Sequence, residues 1–377
     1  MNNAELETYR DDFPFLKQQV FLNHAAIAPI SLTVRDAVLK GAEAMLHDIP
    51  LSDEKAQLVY ESGRELAAAL ISCRTNQIAY VQNTSTAMSM IAIGIDFKPG
   101  DNVIVPAMEF PSNYLPWLQL QEKGVEIRII DACNGRITTD EIKPYIDKKT
   151  RIVALSHVQY YNGFKVNLAS VANLCHENNA LLVVDGTQSA GAIKTEFERD
   201  GIDIFVAASH KWLMGPVGTG FMALSDRAMK TVKPKIVGWL SVNEPFAFHR
   251  KLDFPESATR FEAGSENCLG IYGLQSRLST INSIDPLRIE KRLKDVVAYL
   301  IDSAHRKNDL NVVAMRDEER SGIVLLSHRS YSTEDVFNRL SDAGIKVSHR
   351  GDYIRVSPHF HNTMAEIDHL IDVISMN

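Results

Sequence analysis

Between residues 66 and 224 the sequence alternates short, β-branched apolar runs with segments of helical periodicity, and few folds accommodate that alternation. The runs are IAYV (78–81), NVIVP (102–106), EIRII (126–130), RIVALS (151–156), LLVVD (181–185), DIFVAAS (203–209) and GFMALS (220–225). A strand with one wet face alternates polar and apolar residues, whereas a run that is apolar throughout is covered on both faces. Helical segments at 52–70, 86–94 and 166–178 supply that cover. The pattern predicts a large α/β domain around a mainly parallel, seven-stranded sheet, in which ligands collect at the carboxyl ends of the strands.

From about residue 280 the pattern changes. A long amphipathic segment (285–307) leads to a strand, GIVLLS (322–327), and Ser332 with Asp335 forms a capping-box-like start to a helix at 333–343. Gly344 ends that helix as a left-handed cap. Strands at 345–348 and 353–357 follow, joined by a tight turn at Arg350, Gly351 and Asp352. The closing helix opens at Thr363, with Glu366 three residues on and an apolar stripe of Met364, Ile367, Leu370, Ile371 and Ile374. The division expected is an N-terminal segment (1–20) packing with the small domain, a large domain (21–253), and a return segment with a small C-terminal α/β domain (254–377). No repeat, charge block or Pro/Ser-rich linker interrupts it.

Composition narrows the function classes. With 40 Lys and Arg against 47 Asp and Glu, the net charge of −7 gives no support for nucleic-acid or anionic-membrane binding. The first residues lack the basic and apolar regions of a signal peptide, and the longest apolar stretches (88–95, 181–184) fall far short of the ~20 residues that cross a bilayer. Cys73, Cys133, Cys175 and Cys268 stand apart, with no CxxC pair and no zinc spacing, which fits a reduced, cytoplasmic setting. His359 and His361 have no third ligand nearby, so no metal is expected. GPVGTG (215–220) has the wrong spacing and context for a dinucleotide fingerprint, and there is no P-loop.

The chemistry concentrates in LLVVDGTQSAG (181–191) and VAASHKWLMGPVGTG (206–220). Asp185 ends one buried run, with Gln188 in the turn after it; Ser209, His210 and Lys211 end another. Alone, Asp185 would read as a helix N-cap. Together the groups point into one crevice, where a carboxylate is costly unless a cation meets it and a lysine shifts toward its neutral, nucleophilic form. Pyridoxal 5'-phosphate needs both: a lysine for its aldehyde and a carboxylate for its protonated ring nitrogen. NTSTAMSMIAIG (83–94) follows a strand with hydroxyl residues that open a helix, an arrangement suited to a phosphate.

These motifs resemble the class V aminotransferases, a fold-type I group of pyridoxal-phosphate enzymes that includes cysteine desulfurases, isopenicillin-N-epimerase-like proteins and kynureninase-like enzymes. The likeness runs from FLNHAA (21–26) to IRVSPHFHNT (354–363). It implies that Lys211 is the Schiff-base lysine, Asp185 the ring-nitrogen partner, Gln188 a donor to the ring hydroxyl and His210 a neighbour of the phosphate and Schiff base. Thr84, Ser85 and Thr86 match the family's phosphate-holding segment, with Thr86 replacing an acidic residue, and Ser209 is a further phosphate donor. In EFPSNYLPW (109–117), Phe110 stands where an aromatic side chain covers the ring, a position at which desulfurases tend to carry His. Arg355 matches the arginine that grips a substrate carboxylate. His24, Tyr160, Tyr161 and Asn162 are expected pocket residues, with Tyr160 replacing the Asn usual in desulfurases. Ser265, in RFEAGSEN (260–267), matches a hydroxyl that reaches the neighbouring subunit's phosphate, which implies a homodimer with shared sites.

The implied substrate is an amino acid, and the implied first step is loss of its α-proton to Lys211. Reprotonation at the cofactor carbon gives transamination, reprotonation at Cα gives epimerisation, and loss of a β-substituent gives elimination or C–S cleavage. Transamination is the first expectation. Residues 341–355 hold no cysteine, which argues against the persulfide route of the desulfurases. A non-catalytic sensor that keeps the cofactor is a further alternative, separated from an enzyme by turnover.

Overall fold

All seven apolar runs lie in one sheet of the computed structural model, which describes residues 1, 3–47, 54–132 and 135–375. In chain order the strands are β1 (Val20–Phe21), β2 (Ile78–Val81), β3 (Asn102–Pro106), β4 (Glu126–Ile130), β5 (Thr150–Ser156), β6 (Leu181–Asp185), β7 (Ile204–Ala208) and β8 (Gly220–Leu224). They continue with β9 (Leu310–Val312), β10 (Val324–His328), β11 (Ile345–Lys346), β12 (Ser348–Arg350) and β13 (Tyr353–Val356). The large sheet has the order β2-β8-β7-β6-β5-β3-β4. Every residue of β2, β3, β6, β7 and β8 is buried, which is why their sequences show no polar alternation. Edge strand β4 is the exception: Glu126 and Arg128 pair on it, and charge on an edge discourages further strand addition.

Register places the site. The strands from β4 to β7 run parallel, and Ser156 and Asp185 are direct partners at the carboxyl ends of β5 and β6. Strand β8 is antiparallel to β7 and β2 is antiparallel to β8, so β2 again runs with β7. Two reversals thus bring the chain after β2, at Thr84, to the same edge as Asp185 and the segment after β7.

The helix after β2 starts at Thr84, two residues before the sequence expectation, because the Asn83 side chain accepts the Thr86 N–H and caps it. The helix expected at 52–70 is seen over Glu54–Ile71; its expected start lies outside the described residues. Leu168–Glu177 and Pro286–His305 fill the other two expected helical segments.

Toward the carboxyl terminus, β12-β13-β10-β9 form an antiparallel sheet and β1 pairs in parallel with β11. The single strand expected at 345–348 is therefore two. Ile345 and Lys346 pair with Val20 and Phe21, whereas Ser348 pairs with Arg355, so the chain changes partners at Val347. Ser332 caps Thr333–Asp342, Gly344 has φ +74°, and Thr363 and Glu366 bond reciprocally at the start of Met364–Ser375. Arg10 donates both outer nitrogens to Glu366, fastening the N-terminal helix Asn3–Asp11 there. No helix among the described residues is long and apolar enough to cross a membrane.

Candidate active site

A pocket opens at the carboxyl edge of the large sheet, between the ends of β2, β5, β6 and β7. Asp185 and Lys211 both line it. The Asp185 carboxylate accepts the Thr187 N–H at 2.9 Å, while burial pushes its pKa up; the Thr187 bonds and the Lys211 charge oppose that push. Burial also pulls the Lys211 ammonium down to about 8: Asp185 raises it, and Arg355 and Arg350 lower it further. Near neutral pH a fraction of Lys211 is therefore the free amine, the form that attacks a carbonyl or takes a proton. His210 is held below its usual pKa by burial and by Lys211.

The helix that begins at Thr84 meets the pocket with its N-terminus, where unpaired N–H groups concentrate positive charge. Thr84 Oγ1 lies 2.9 Å from Thr187 Oγ1, and exposed Ser85 shares a 2.7 Å hydroxyl contact with Ser112. Thr86 is engaged through its N–H with the cap. On the opposite wall Phe110 is 40% exposed, its ring 5.2 Å from Lys211 Nζ and edge-on to Tyr160 at 5.2 Å. An aromatic ring left open in this way is placed to stack on a planar ligand and is no core filler. Gln188 is fixed from both ends: Nε2 donates to the Ala25 carbonyl at 3.0 Å and Oε1 accepts Trp212 Nε1 at 2.7 Å.

Arg355 sits behind this wall, 1% exposed, with Nη1 donating to the Tyr160 carbonyl at 2.5 Å. Its Nε is buried without a partner, and among the described residues no carboxylate pairs with it. Burial, and then Arg350, pull its pKa down to about 9. An unmatched buried guanidinium is suited to an anionic ligand.

Other expected site residues are placed elsewhere. The Ser209 hydroxyl is turned into its own loop, where it donates to the Pro216 carbonyl and meets Thr219 Oγ1 at 2.7 Å. Asn162 forms a turn, accepting the Phe164 N–H at 2.9 Å and donating to the Gly135 carbonyl. His24 is buried beneath the pocket, bonded to the Ser357 carbonyl at 3.1 Å and packed against His359 and His361. Tyr161 packs edge-on to Tyr160 without lining the pocket, and exposed Ser265 does not line it either. Sequence reasoning passed over Thr187 and Glu109. Glu109 follows an apolar strand and Asp185 ends one, and that shared pattern is the signal in the sequence that marks it.

The donor set fits pyridoxal phosphate. A helix N-terminus with hydroxyls suits the phosphate, a buried carboxylate without an ion pair among the described residues suits the ring nitrogen, and a partly neutral lysine suits the aldehyde. A family profile described as aminotransferase class-V matches residues 21–370. A probable cysteine desulfurase of Methanothermobacter thermautotrophicus is 31% identical over 298 residues, spanning 76% of this chain and 72% of that protein. The uncharacterized aminotransferase YcbU of Bacillus subtilis is 24% identical over 369 residues, spanning 98% and 97%. Among solved structures, the apo cysteine desulfurase of Thermococcus onnurineus superposes with a TM-score of 0.86 at 23% identity, covering 97% of this chain and 96% of that one. A C-DES variant with glycine covalently linked to its pyridoxal phosphate gives 0.89 at 20% identity, covering 98% and 99%.

Proposed function

The chain belongs to the aminotransferase class-V family of pyridoxal-phosphate enzymes, and from that premise we propose that it is an aminotransferase that draws the α-proton from an amino acid at Lys211. One observation carries the reading: Lys211, shifted toward its neutral form, shares a pocket with Asp185 while an unmatched guanidinium, Arg355, stands behind the wall. Bound there, pyridoxal phosphate supplies the electron sink for the charge left on Cα. Lys211 Nζ would hold the cofactor through its aldehyde and, as the free amine, would take the α-proton. Asp185 would keep the ring nitrogen protonated, Gln188 would serve the ring hydroxyl, and His210 would neighbour the phosphate and Lys211. Thr84, Ser85 and Thr86 with the helix N–H groups would hold the phosphate, and Phe110 would cover one ring face. Arg355 takes the substrate carboxylate, and Tyr160 borders it. Ser265 serves the phosphate of a neighbouring subunit in a homodimer with shared sites. Residues 21–253 form the cofactor domain, 254–377 the return segment and small domain, and the setting is cytoplasmic.

C–S β-elimination is a second reading, favoured by relatives and structural neighbours described as cysteine desulfurases and, for C-DES, a cystine C–S lyase. Desulfuration through a thiolate of this chain is disfavoured, since none of Cys73, Cys175 and Cys268 lines the pocket; Cys133 lies outside the described residues. A panel of amino acids added to the holoenzyme separates the readings. Conversion of the bound cofactor to its amine form supports aminotransfer, and release of sulfide or pyruvate with the aldehyde form retained overturns it in favour of elimination. No spectral response to any amino acid would leave a cofactor-binding protein without turnover and overturn both.

A further inference from the structure

Glu109 lines no part of the pocket, yet it holds one wall of it. Its buried carboxylate accepts Asn113 Nδ2 at 3.1 Å, the Ser156 N–H at 2.8 Å, and Ser156 Oγ and Gln159 Nε2, each at 2.5 Å. Those donors belong to the segments that carry Phe110, Ser156 and Tyr160 to the pocket surface. Ser156 is also the strand partner of Asp185, so two buried carboxylates flank the same strand end. The donors on Glu109 are all neutral, and no ion pair reaches it among the described residues. The titratable group that acts on it is Asp185 on β6, which lines the pocket together with His210 and Lys211.

Two buried carboxylates that share one strand end do not ionise independently. Resting on the reading that Asp185 pairs with the cofactor's ring nitrogen, we infer that Glu109 is a positioning residue that couples cofactor binding to proton release. It keeps a proton while Asp185 is an unmatched anion and yields that proton from its carboxyl oxygen to water once Asp185 is matched by the ring N–H. Burial pushes the Glu109 carboxyl up to about 7; the Ser156 bonds oppose this and Asp185 adds to it, so the exchange falls near neutral pH. Both states are satisfied in place, because the Ser156 hydroxyl at 2.5 Å turns from donor to acceptor when Glu109 is protonated.

A complex that releases a proton tightens as pH rises. The test titrates pyridoxal phosphate into the full-length apoprotein at pH 6, 7 and 8, for wild type, Glu109→Gln and Asp185→Asn. For a fall of about one unit in the Glu109 pKa, wild-type affinity gains about fivefold more between pH 6 and 8 than Glu109→Gln affinity does. Equal pH dependence in wild type and Glu109→Gln, with binding intact, overturns the inference. Asp185→Asn binding as tightly as wild type overturns the underlying reading instead. If Glu109→Gln does not fold, the wild type alone decides at pH 7. Infrared difference spectra of the wild type, with and without pyridoxal phosphate, then follow the carboxyl groups instead: loss of a protonated-carboxyl band on loading supports the exchange, and an unchanged band overturns the inference.

Discussion

The guanidinium of Arg277 donates to the main-chain carbonyl of Leu213 at 2.9 Å, two residues beyond Lys211, from a fully buried position. No carboxylate pairs with it among the described residues; its other neighbours are the Met214 sulfur and the Phe13 ring. Burial pulls its pKa down to about 10, with partial relief from Asp12 and Tyr9. Trp212 is held as well, its carbonyl by His359 Nε2 at 3.0 Å and its indole by Gln188. Met214, with φ +52°, occupies a backbone region that a side chain makes unfavourable. The segment that presents Lys211 is thus strained and pinned from three sides.

Removing one pin has a measurable cost. Arg277→Ala leaves the Leu213 carbonyl buried without its donor and opens a cavity, and together these lower the unfolding free energy by about 2–4 kcal/mol. Urea unfolding of the apoprotein measures it. A variant as stable as wild type would show that the burial cost of the charge cancels what the carbonyl bond contributes.

Loaded with pyridoxal phosphate, the wild-type protein is expected to show the absorbance of a Schiff base to lysine, which Lys211→Ala lacks. Because Lys211 attacks only as the free amine, the rate of cofactor attachment to apoprotein rises with pH through about 8 and levels above it. Stopped-flow absorbance between pH 6.5 and 9.5 follows this. A flat profile, or an unchanged spectrum in the alanine variant, removes Lys211 from the role.

Arg355 tests the substrate side separately from the cofactor side. Losing charge-assisted bonds worth about 1.5–3 kcal/mol, Arg355→Ala raises KM for the amino acid by ~10-fold or more. The amount of pyridoxal phosphate bound stays near the wild-type value, since Arg355 bonds the Tyr160 carbonyl and not the helix at Thr84 proposed to hold the phosphate. Unchanged KM would assign the guanidinium to its structural partners, the Tyr160 carbonyl and the Ser348 hydroxyl.

Much of this arrangement was legible because doubly covered parallel strands write themselves as unbroken apolar runs. LLVVD and DIFVAAS announced β6 and β7, and with them the positions of Asp185 and Lys211. What escaped depends on contacts between residues far apart in sequence. Val347 changes strand partners because β1, more than 300 residues earlier, ends beside it, and no local signal encodes that end. Ser209 shares its motif with Lys211, but motif membership does not fix side-chain direction; its hydroxyl is consumed by the Pro216 turn. Glu109 would have needed the folded positions of Ser156 and Gln159 to be recognised as a buried hub. His24, His359 and His361 looked like separate histidines and proved to be one cluster.

That cluster predicts how the fold responds to acid. Burial lowers His24 to about 3 and holds His359 and His361 well below their usual range; His157, buried elsewhere, also falls to about 3. In the unfolded chain each titrates near pH ~6.5. Below that pH the unfolded state binds protons that the folded state refuses, so stability is lost as pH falls and is independent of these groups above about pH 7. Each neutral histidine contributes up to about 1.4 kcal/mol per pH unit to that decline. His361 stacks on Phe13 at 5.4 Å and 17°, a contact that a phenyl ring can keep. His361→Phe therefore flattens the pH dependence of urea unfolding between pH 6 and 4 by up to about 1.4 kcal/mol per unit while leaving it unaltered above pH 7. Equal slopes in the two proteins would mean that His361 takes its proton without unfolding the chain.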